Sequence, residues 1–443
     1  MLQKNFALAL LTAAALAACG GTGSSGGDQS HPVTFSQMVT FGDSLSDVGS
    51  YNVGAVKASG GGKFTINGSE TSKDPALTGL NWTEVLAAEM RLPAPCAAQT
   101  GLEGTAEGFN VPVTNNLNCF NYAQGGARVS EAEGPGNKAN KPELGEMTVP
   151  VKTQLANHLA RPGVGGKFSG TELVTIMAGG NDVLMQLAAV SAVGTKAGAQ
   201  AFPSLLITGL AATTPNPATA APVITAAVQA NVAGGQTAIT NAGVMAAISQ
   251  GATRDAAVAA ATKAGADAKA AGAKAAAEYA AANAETLVAA LGKAGAEKAA
   301  LVNQIVEKGA KYVIVNNLPD VANTPSGRAQ PALQPLIDKM VTTFNAQLKG
   351  NLNAKYSANV MYVDLYSVSK DQMTNPRTTE IYGLTNVTTP ACKTETSLLC
   401  TTRTTVDGDV SHYMYADSIH PTPFEYWLVA RYILKDMAVK GWL

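Results

Sequence analysis

The chain has 443 residues, of which 46% are hydrophobic and 14% charged, with a formal net charge of −1. No basic block exists, which argues against nucleic acid as a partner, and beyond the first 18 residues no apolar run is long enough to span a membrane. The length suits one large domain or two modest ones.

The N-terminus reads as an export signal rather than part of a fold. Lys4 precedes the apolar stretch FALALLTAAALAA, which is too short for a membrane-spanning helix and is followed by small residues. The run Leu16-Ala17-Ala18-Cys19 resembles a bacterial lipobox, in which residues 1–18 are removed and Cys19 is lipidated. Ordinary cleavage near Ala15-Leu16-Ala17 is the alternative. It would leave Cys19 as a free thiol, a liability in an oxidising compartment. Gly20 after the cysteine, with no Asp there, points by resemblance to sorted lipoproteins to the outer membrane or cell surface. The expectation is an exported protein that touches the membrane through a lipid anchor only, or one that is periplasmic or secreted. Residues 19–35 form a Gly/Ser-rich linker. It contains a G-x-G-x-x-G spacing (Gly21, Gly23, Gly26) and a G-x-S-x-G spacing (Gly23, Ser25, Gly27). Neither follows a strand or opens a helix, so neither carries its usual meaning.

The elements that follow alternate. SQMVTFGDS predicts a short buried strand ending in a turn at Gly42-Asp43-Ser44-Leu45. NWTEVLAAEM (81–90) predicts a helix, as does VKTQLANHLARPG, which carries His158 as a surface or satisfied core residue. Leu173 to Met177 predicts a second strand, ending in Gly179-Gly180-Asn181-Asp182. Tyr312 to Val315 predicts a third strand, before Asn316-Asn317, and NVMYVDLYS (359–367) a fourth. The stretch PALQPLIDKMVTTFNAQLKGNL predicts a helix between the last two. Short continuous apolar strands separated by helices indicate a parallel sheet covered on both faces. The predicted fold is α/β, a three-layer α/β/α sandwich with a mainly parallel, flavodoxin-like sheet. Its ligand site is expected at the carboxyl ends of the strands.

The rhythm breaks at about 190–282, a stretch rich in Ala, Thr and Gly. Half of residues 251–300 are Ala, and Tyr279 is the only aromatic between 203 and 311. This predicts a helical insertion into a domain spanning 36–443, with disorder as the alternative for its Gly/Thr/Pro-rich half at 208–250. With few large apolar side chains it can add little to the core. Its place after the Asn181 strand leads to the expectation that it acts as a cover or wall at the ligand site. Setting Cys19 aside, Cys96, Cys119, Cys392 and Cys400 remain. An even count in an exported chain predicts two disulfides, and the short-loop pairing Cys96–Cys119 and Cys392–Cys400 is the favoured one of three.

Histidine is scarce: His31, His158, His412 and His420. Four scattered histidines without Cys or carboxylate spacing give no metal ligand set. His420 has the most informative setting, YADSIHPTPFEYWLVARYI. Thr422, Pro423 and Glu425 form a capping-box pattern with Pro at the first helical position. His420 therefore sits on a constrained loop just before a helix, with Asp417 three residues earlier and His412 as a distant second candidate. Asp417 can orient the ring so that its other nitrogen takes a proton from a serine. Taken singly, each feature has a plainer reading. Ser44 alone fits a turn, Asn181-Asp182 a turn or cap, and Asp417 a loop residue.

Together, the blocks Gly42-Asp43-Ser44-Leu45, Asn121-Tyr122-Ala123-Gln124-Gly125-Gly126-Ala127, Gly179-Gly180-Asn181-Asp182 and Asp417-Ser418-Ile419-His420-Pro421 resemble the four blocks of the SGNH/GDSL hydrolases, in the family's order. The resemblance covers about 36–190 and 283–443 and omits the insertion. It implies Ser44 as nucleophile, His420 as base and Asp417 as the acid that orients it. It also implies an oxyanion hole from the N–H of Ser44, the N–H of Gly126 (Gly125 being one residue away) and the side chain of Asn181. Asp43 and Asp47 are expected to bond backbone amides around the turn, and Asp182 to cap the helix after its strand. The implied activity is that of a serine esterase or lipase acting on small-molecule or lipid esters, with no cofactor. An acyltransferase or phospholipase of the same family is the alternative. A non-catalytic surface lipoprotein with a partner-binding helical arm is the alternative from another class.

Overall fold

A computed structural model describes residues 33–443. Cys19, His31, the expected signal at 1–18 and most of the linker lie outside the described residues. The strands are β1 (Met38–Gly42), β2 (Gln99–Glu103), β3 (Asn110–Asn115), β4 (Leu173–Met177), β5 (Tyr312–Asn316) and β6 (Val360–Val363). The chief helices are α1 (Trp82–Glu89) and α2 (Val151–Ala160), before β4. Then come α3 (Gly180–Ala211), α4 (Pro217–Ala230), α5 (Gly235–Ser249), α6 (Arg254–Ala282) and α7 (Ala284–Glu307). After β5 follow α8 (Gln334–Asn351), α9 (Leu365–Thr374) and α10 (Pro423–Lys440).

The fold is α/β, with β1, β4, β5 and β6 side by side in that order and all parallel. Side chains alternate strictly between its faces, as the two-residue period of a strand requires. Val39, Phe41, Val174, Ile176, Val313 and Val315 pack on one face with helices α2, α3, α7 and α8. Met38, Leu173, Met177, Ile314, Met361 and Val363 pack on the other with α1, α9 and α10. Both faces are buried, which is why these strands read as unbroken apolar runs. Helices on both faces are consistent with the expected three-layer sandwich. Beside β1, residues 120–124 run parallel to it: Thr40 donates to Phe120 O at 3.0 Å and Tyr122 donates to Thr40 O at 2.8 Å. The Gln154 amide grips the end of β1 from α2, bonding both N–H and C=O of Gly42 at 2.8 Å. The antiparallel hairpin β2–β3 was not foreshadowed by the strand–helix alternation.

The insertion is ordered helix. Its expected start near 190 falls inside α3, which runs unbroken for 32 residues despite Pro203. The half offered as disordered forms α4 and α5. Helices α3 and α6 touch through backbone. A Cβ on Gly194 would stand 2.8 Å from Gly272 O, and one on Gly198 would stand 3.0 Å from Ala268 O. The low side-chain bulk of this region is thus what lets two long helices approach closely. At the far end, Phe202, Leu206, Leu210, Ile224, Val228 and Ile239 make a separate small core. Among the described residues, no helix is long and apolar enough to cross a membrane.

Candidate active site

The carboxyl ends of β1, β4 and β5 converge on one cleft. After β1, Gly42 is required by close approach, since a Cβ there would collide with the Met177 carbonyl of β4. The chain then turns through a 3-10 segment, Ser44–Ser46, capped by Asp43, whose Oδ1 accepts from Leu45 N at 3.1 Å. Asp47 anchors the turn from below. Its Oδ1 accepts from Gly49 N at 2.9 Å and Ser50 N at 2.7 Å, and its Oδ2 accepts from Gly125 N at 2.9 Å and from the Ser50 hydroxyl. Both aspartates thus bond backbone amides around the turn. Burial pushes the pKa of Asp43 up to about 6, against the opposing charges of Lys298 and His420.

Ser44 and His420, 376 residues apart, meet here: Ser44 Oγ lies 2.9 Å from His420 Nε2. The other ring nitrogen, Nδ1, lies 2.8 Å from Asp417 Oδ2 and 3.0 Å from Oδ1. Asp417 is itself held by three backbone donors, Ser397 N at 2.7 Å, His420 N at 2.8 Å and Ile419 N at 2.9 Å. Burial alone would raise its pKa. The His420 ring and these donors outweigh burial and keep the carboxyl well below the usual carboxylate range. For His420, burial alone would lower the pKa. The Asp417 carboxylate, with smaller contributions from Asp43 and Glu146, raises it above the ordinary value of 6.5.

Gly126 and Asn181 line the same cleft as Ser44 and His420. Gly126 adopts a left-handed φ of 75°, open to glycine at little cost. Gly125 N–H is spent on Asp47, whereas neither Gly126 N–H nor Ser44 N–H has an acceptor among the described residues. Asn181 Nδ2 donates one hydrogen to Ala127 O at 2.9 Å, leaving the other for the cleft. Asn181 also lies in the first turn of α3, where the helix dipole adds positive character. Asp182 does not cap α3. Gly179 holds that position, and Asp182 instead pairs with Arg128 Nε at 3.0 Å and accepts from Val129 N at 3.1 Å. It clamps the Gly126 loop to the helix.

The other histidines are elsewhere. His158 is core, packed among Phe41, Phe120, Tyr122 and Phe168, and burial lowers its pKa to about 4. His412 bonds Ser411 Oγ at 3.0 Å and packs on Phe424. The sulfurs of Cys96 and Cys119, and of Cys392 and Cys400, are joined. The second loop carries Ser397, which holds Asp417. Among the described residues, no group of three His, Cys, Asp or Glu is arranged to hold a metal ion.

The burial of Lys298, Glu425 and Glu146 was not legible in the sequence. Lys298, fully buried on α7, donates to Ala178 O at 3.1 Å and Asn316 O at 2.6 Å, tying together the ends of β4 and β5; burial lowers its pKa to about 7. It lies on the apolar stripe Leu287, Leu291, Ala294, Leu301, Ile305, a signal that could have exposed it. Glu425 forms only half of the expected capping box. Thr422 Oγ accepts from Glu425 N at 3.3 Å, but the Glu425 carboxyl turns inward to Gln372 Nε2 at 3.0 Å. Burial pushes its pKa up to about 8. Glu146 sits on the loop beside Gly126.

These groups open on a cleft of about 710 Å³, lined by Leu45, Phe64, Met177, Leu318, Leu365 and Ile419 among others. No residue between 190 and 282 lines it. The expectation that the insertion walls the pocket is therefore corrected. Of α3, only Gly180, Asn181 and Leu184, in its first two turns, line the cleft.

No protein-family model matches the chain. The chain is 27% identical over 151 residues to a GDSL esterase/lipase of Arabidopsis thaliana, covering 31% of this chain and 41% of that protein. It is 32% identical over 128 residues to Esterase EstA of Pseudomonas aeruginosa, covering 28% of this chain and 19% of that protein. A further GDSL esterase/lipase of Arabidopsis thaliana is 29% identical over 147 residues, 32% of this chain and 40% of that protein. The chain thus spans less than half the length of these relatives. The likeness supports the GDSL group, and a carboxylic ester hydrolase at that level.

Proposed function

We propose that the protein is a serine hydrolase that cleaves carboxylic esters through an acyl-enzyme on Ser44. The observation that carries this reading is the unbroken chain from Asp417 through His420 to Ser44, at 2.8 and 2.9 Å, facing unspent N–H donors in a largely apolar cleft. Ser44 Oγ attacks the ester carbonyl as His420 Nε2 takes its proton, and Asp417 stabilises the imidazolium. The oxyanion receives the N–H groups of Ser44 and Gly126 and the free hydrogen of Asn181. Such donors contribute on the order of 3 kcal/mol each to the transition state. His420 then passes its proton to the leaving alkoxide. Water repeats the sequence on the acyl-enzyme and releases the acid. Within this reading the sheet is flavodoxin-like, with residues 120–124 as its reduced outer strand. The disulfides suit an exported chain, and lipid attachment at Cys19 is the anchor we propose. Cys19→Ser should move the protein out of the membrane fraction of a bacterial host.

The test of the reaction is labelling by a fluorophosphonate together with turnover of p-nitrophenyl butyrate. Ser44→Ala should abolish the label and lower kcat by at least about 10³-fold, with the melting temperature little changed. His420→Ala should be comparably inactive. Wild-type-like turnover by Ser44→Ala would refute the mechanism.

A further inference from the structure

Among the acids of the cleft that the mechanism leaves unused, Glu146 has a placement unlike that of the others. Glu146 is 8% exposed. Its N–H donates to Gly136 O at 2.9 Å, which folds the loop so that the carboxylate lies between Gly136 and Gly126. A Cβ on Gly136 would overlap the carboxylate, and one on Gly126 would come within 3.0 Å of Oε2. The carboxylate therefore lies against the glycine assigned above to the oxyanion. Among the described residues it receives no hydrogen bond, and the charges that reach it are Asp47, His420 and Lys141. Burial, then Asp47, pushes its pKa up to about 7. The carboxyl opens on the cleft with no donor bound to it among the described residues, so its acceptor capacity is left for what enters there.

The surroundings favour a positively charged partner. Glu143 and Glu395 stand on the same cleft, and Lys141 is the one lysine or arginine among its described lining residues. An acid-rich cleft with apolar walls concentrates positive charge. Phe64, whose ring centroid is 5.0 Å from that of His420, adds an aromatic face beside the reacting groups. We propose that Glu146 is a specificity residue and that the preferred substrates are esters carrying a positively charged ammonium group, which Glu146 pairs. This deepens the hydrolase reading and rests on it.

The experiment compares butyrylcholine with its neutral isostere 3,3-dimethylbutyl butyrate, in wild type and Glu146→Gln. The wild type should favour the cationic ester by about 10-fold or more in kcat/KM, and the ratio should fall to near 1 in Glu146→Gln. A second measurement does not depend on turnover. Tetramethylammonium should slow fluorophosphonate labelling of Ser44 in the wild type. Equal kcat/KM for the two esters in the wild type, a preference that survives Glu146→Gln, or labelling indifferent to tetramethylammonium would each overturn the proposal. In all three cases labelling at Ser44 would leave the hydrolase reading standing. An unlabelled Ser44 would instead remove the hydrolase reading itself.

Discussion

At the scale of single residues, two buried titrating groups make opposite demands on pH. His420 must be neutral to take a proton from Ser44, yet Asp417 raises its pKa above 6.5. The acid limb of kcat/KM, which reports this group in the free enzyme, is therefore expected to have its midpoint above pH 6.5. Asp417→Asn should lower kcat by on the order of 10³–10⁴-fold, because it removes both the orientation of the ring and the charge that stabilises the imidazolium. Glu425 bears on stability instead. Its pKa is about 8 in the fold against an ordinary 4.5, so between these values the folded chain binds a proton that the unfolded chain has lost. Stability must then fall as pH rises through this window, by up to about 1.4 kcal/mol per pH unit from this group. Glu425→Gln cannot ionise. Its melting temperature should gain on that of the wild type steadily from pH 5 to pH 8, and parallel curves would contradict the assigned burial cost.

At the scale of elements, the two disulfides divide stability and activity between them. The Cys96–Cys119 loop spans 23 residues and the Cys392–Cys400 loop 8. Chain entropy gives the longer loop about 3.4 kcal/mol and the shorter about 2.5 kcal/mol. Opening Cys96–Cys119 with serines should thus cost more in melting temperature. Opening Cys392–Cys400 should cost more in kcat, because Ser397 N–H on that loop holds Asp417 at 2.7 Å. A larger loss of kcat from the first pair would refute the link through Ser397. The pairing of α3 with α6 makes a similar local demand. A Cβ on Gly272 would stand 2.5 Å from Gly194 O, with backbone that cannot step aside. Gly272→Val should destabilise the pair by about 1–3 kcal/mol, read in thermal unfolding, while fluorophosphonate labelling of the folded protein persists.

At the scale of the whole molecule, the helical arm and the cleft are separate. The arm has its own small core at its far end and contributes no lining residue from 190–282 to the cleft. Gly198 and Ala268 face each other across the two long helices, so residues 200–266 can be replaced by a short Gly/Ser turn between neighbouring points. The shortened protein should fold, and its preference among p-nitrophenyl esters of different acyl length should match that of the full chain. A changed profile would mean that the arm reaches the site in solution.

What the sequence determined by itself follows from local physics. Strands buried on both faces must be short apolar runs, so β1, β4, β5 and β6 were legible from composition alone. The helix at 81–90 was legible too, and Ser44, Asp417 and His420 stood out through the resemblance of four ordered blocks to a known family, since each taken singly fits a turn, a loop or a helix start. The disulfide pairing followed from loop length. Tertiary structure alone decided the rest. Gly126 rather than Gly125 keeps a free N–H only because Asp47, 78 residues before Gly125, takes the other. The inward turn of Glu425 depends on Gln372, from a different helix. The unpaired state of Glu146 and the burial of Lys298 likewise depend on neighbours remote in sequence. That the arm lines no part of the cleft beyond the first turns of α3 was likewise decided by packing, which no residue pattern encodes. Periodicity reports how one segment meets solvent, whereas these features are set by which segments meet one another.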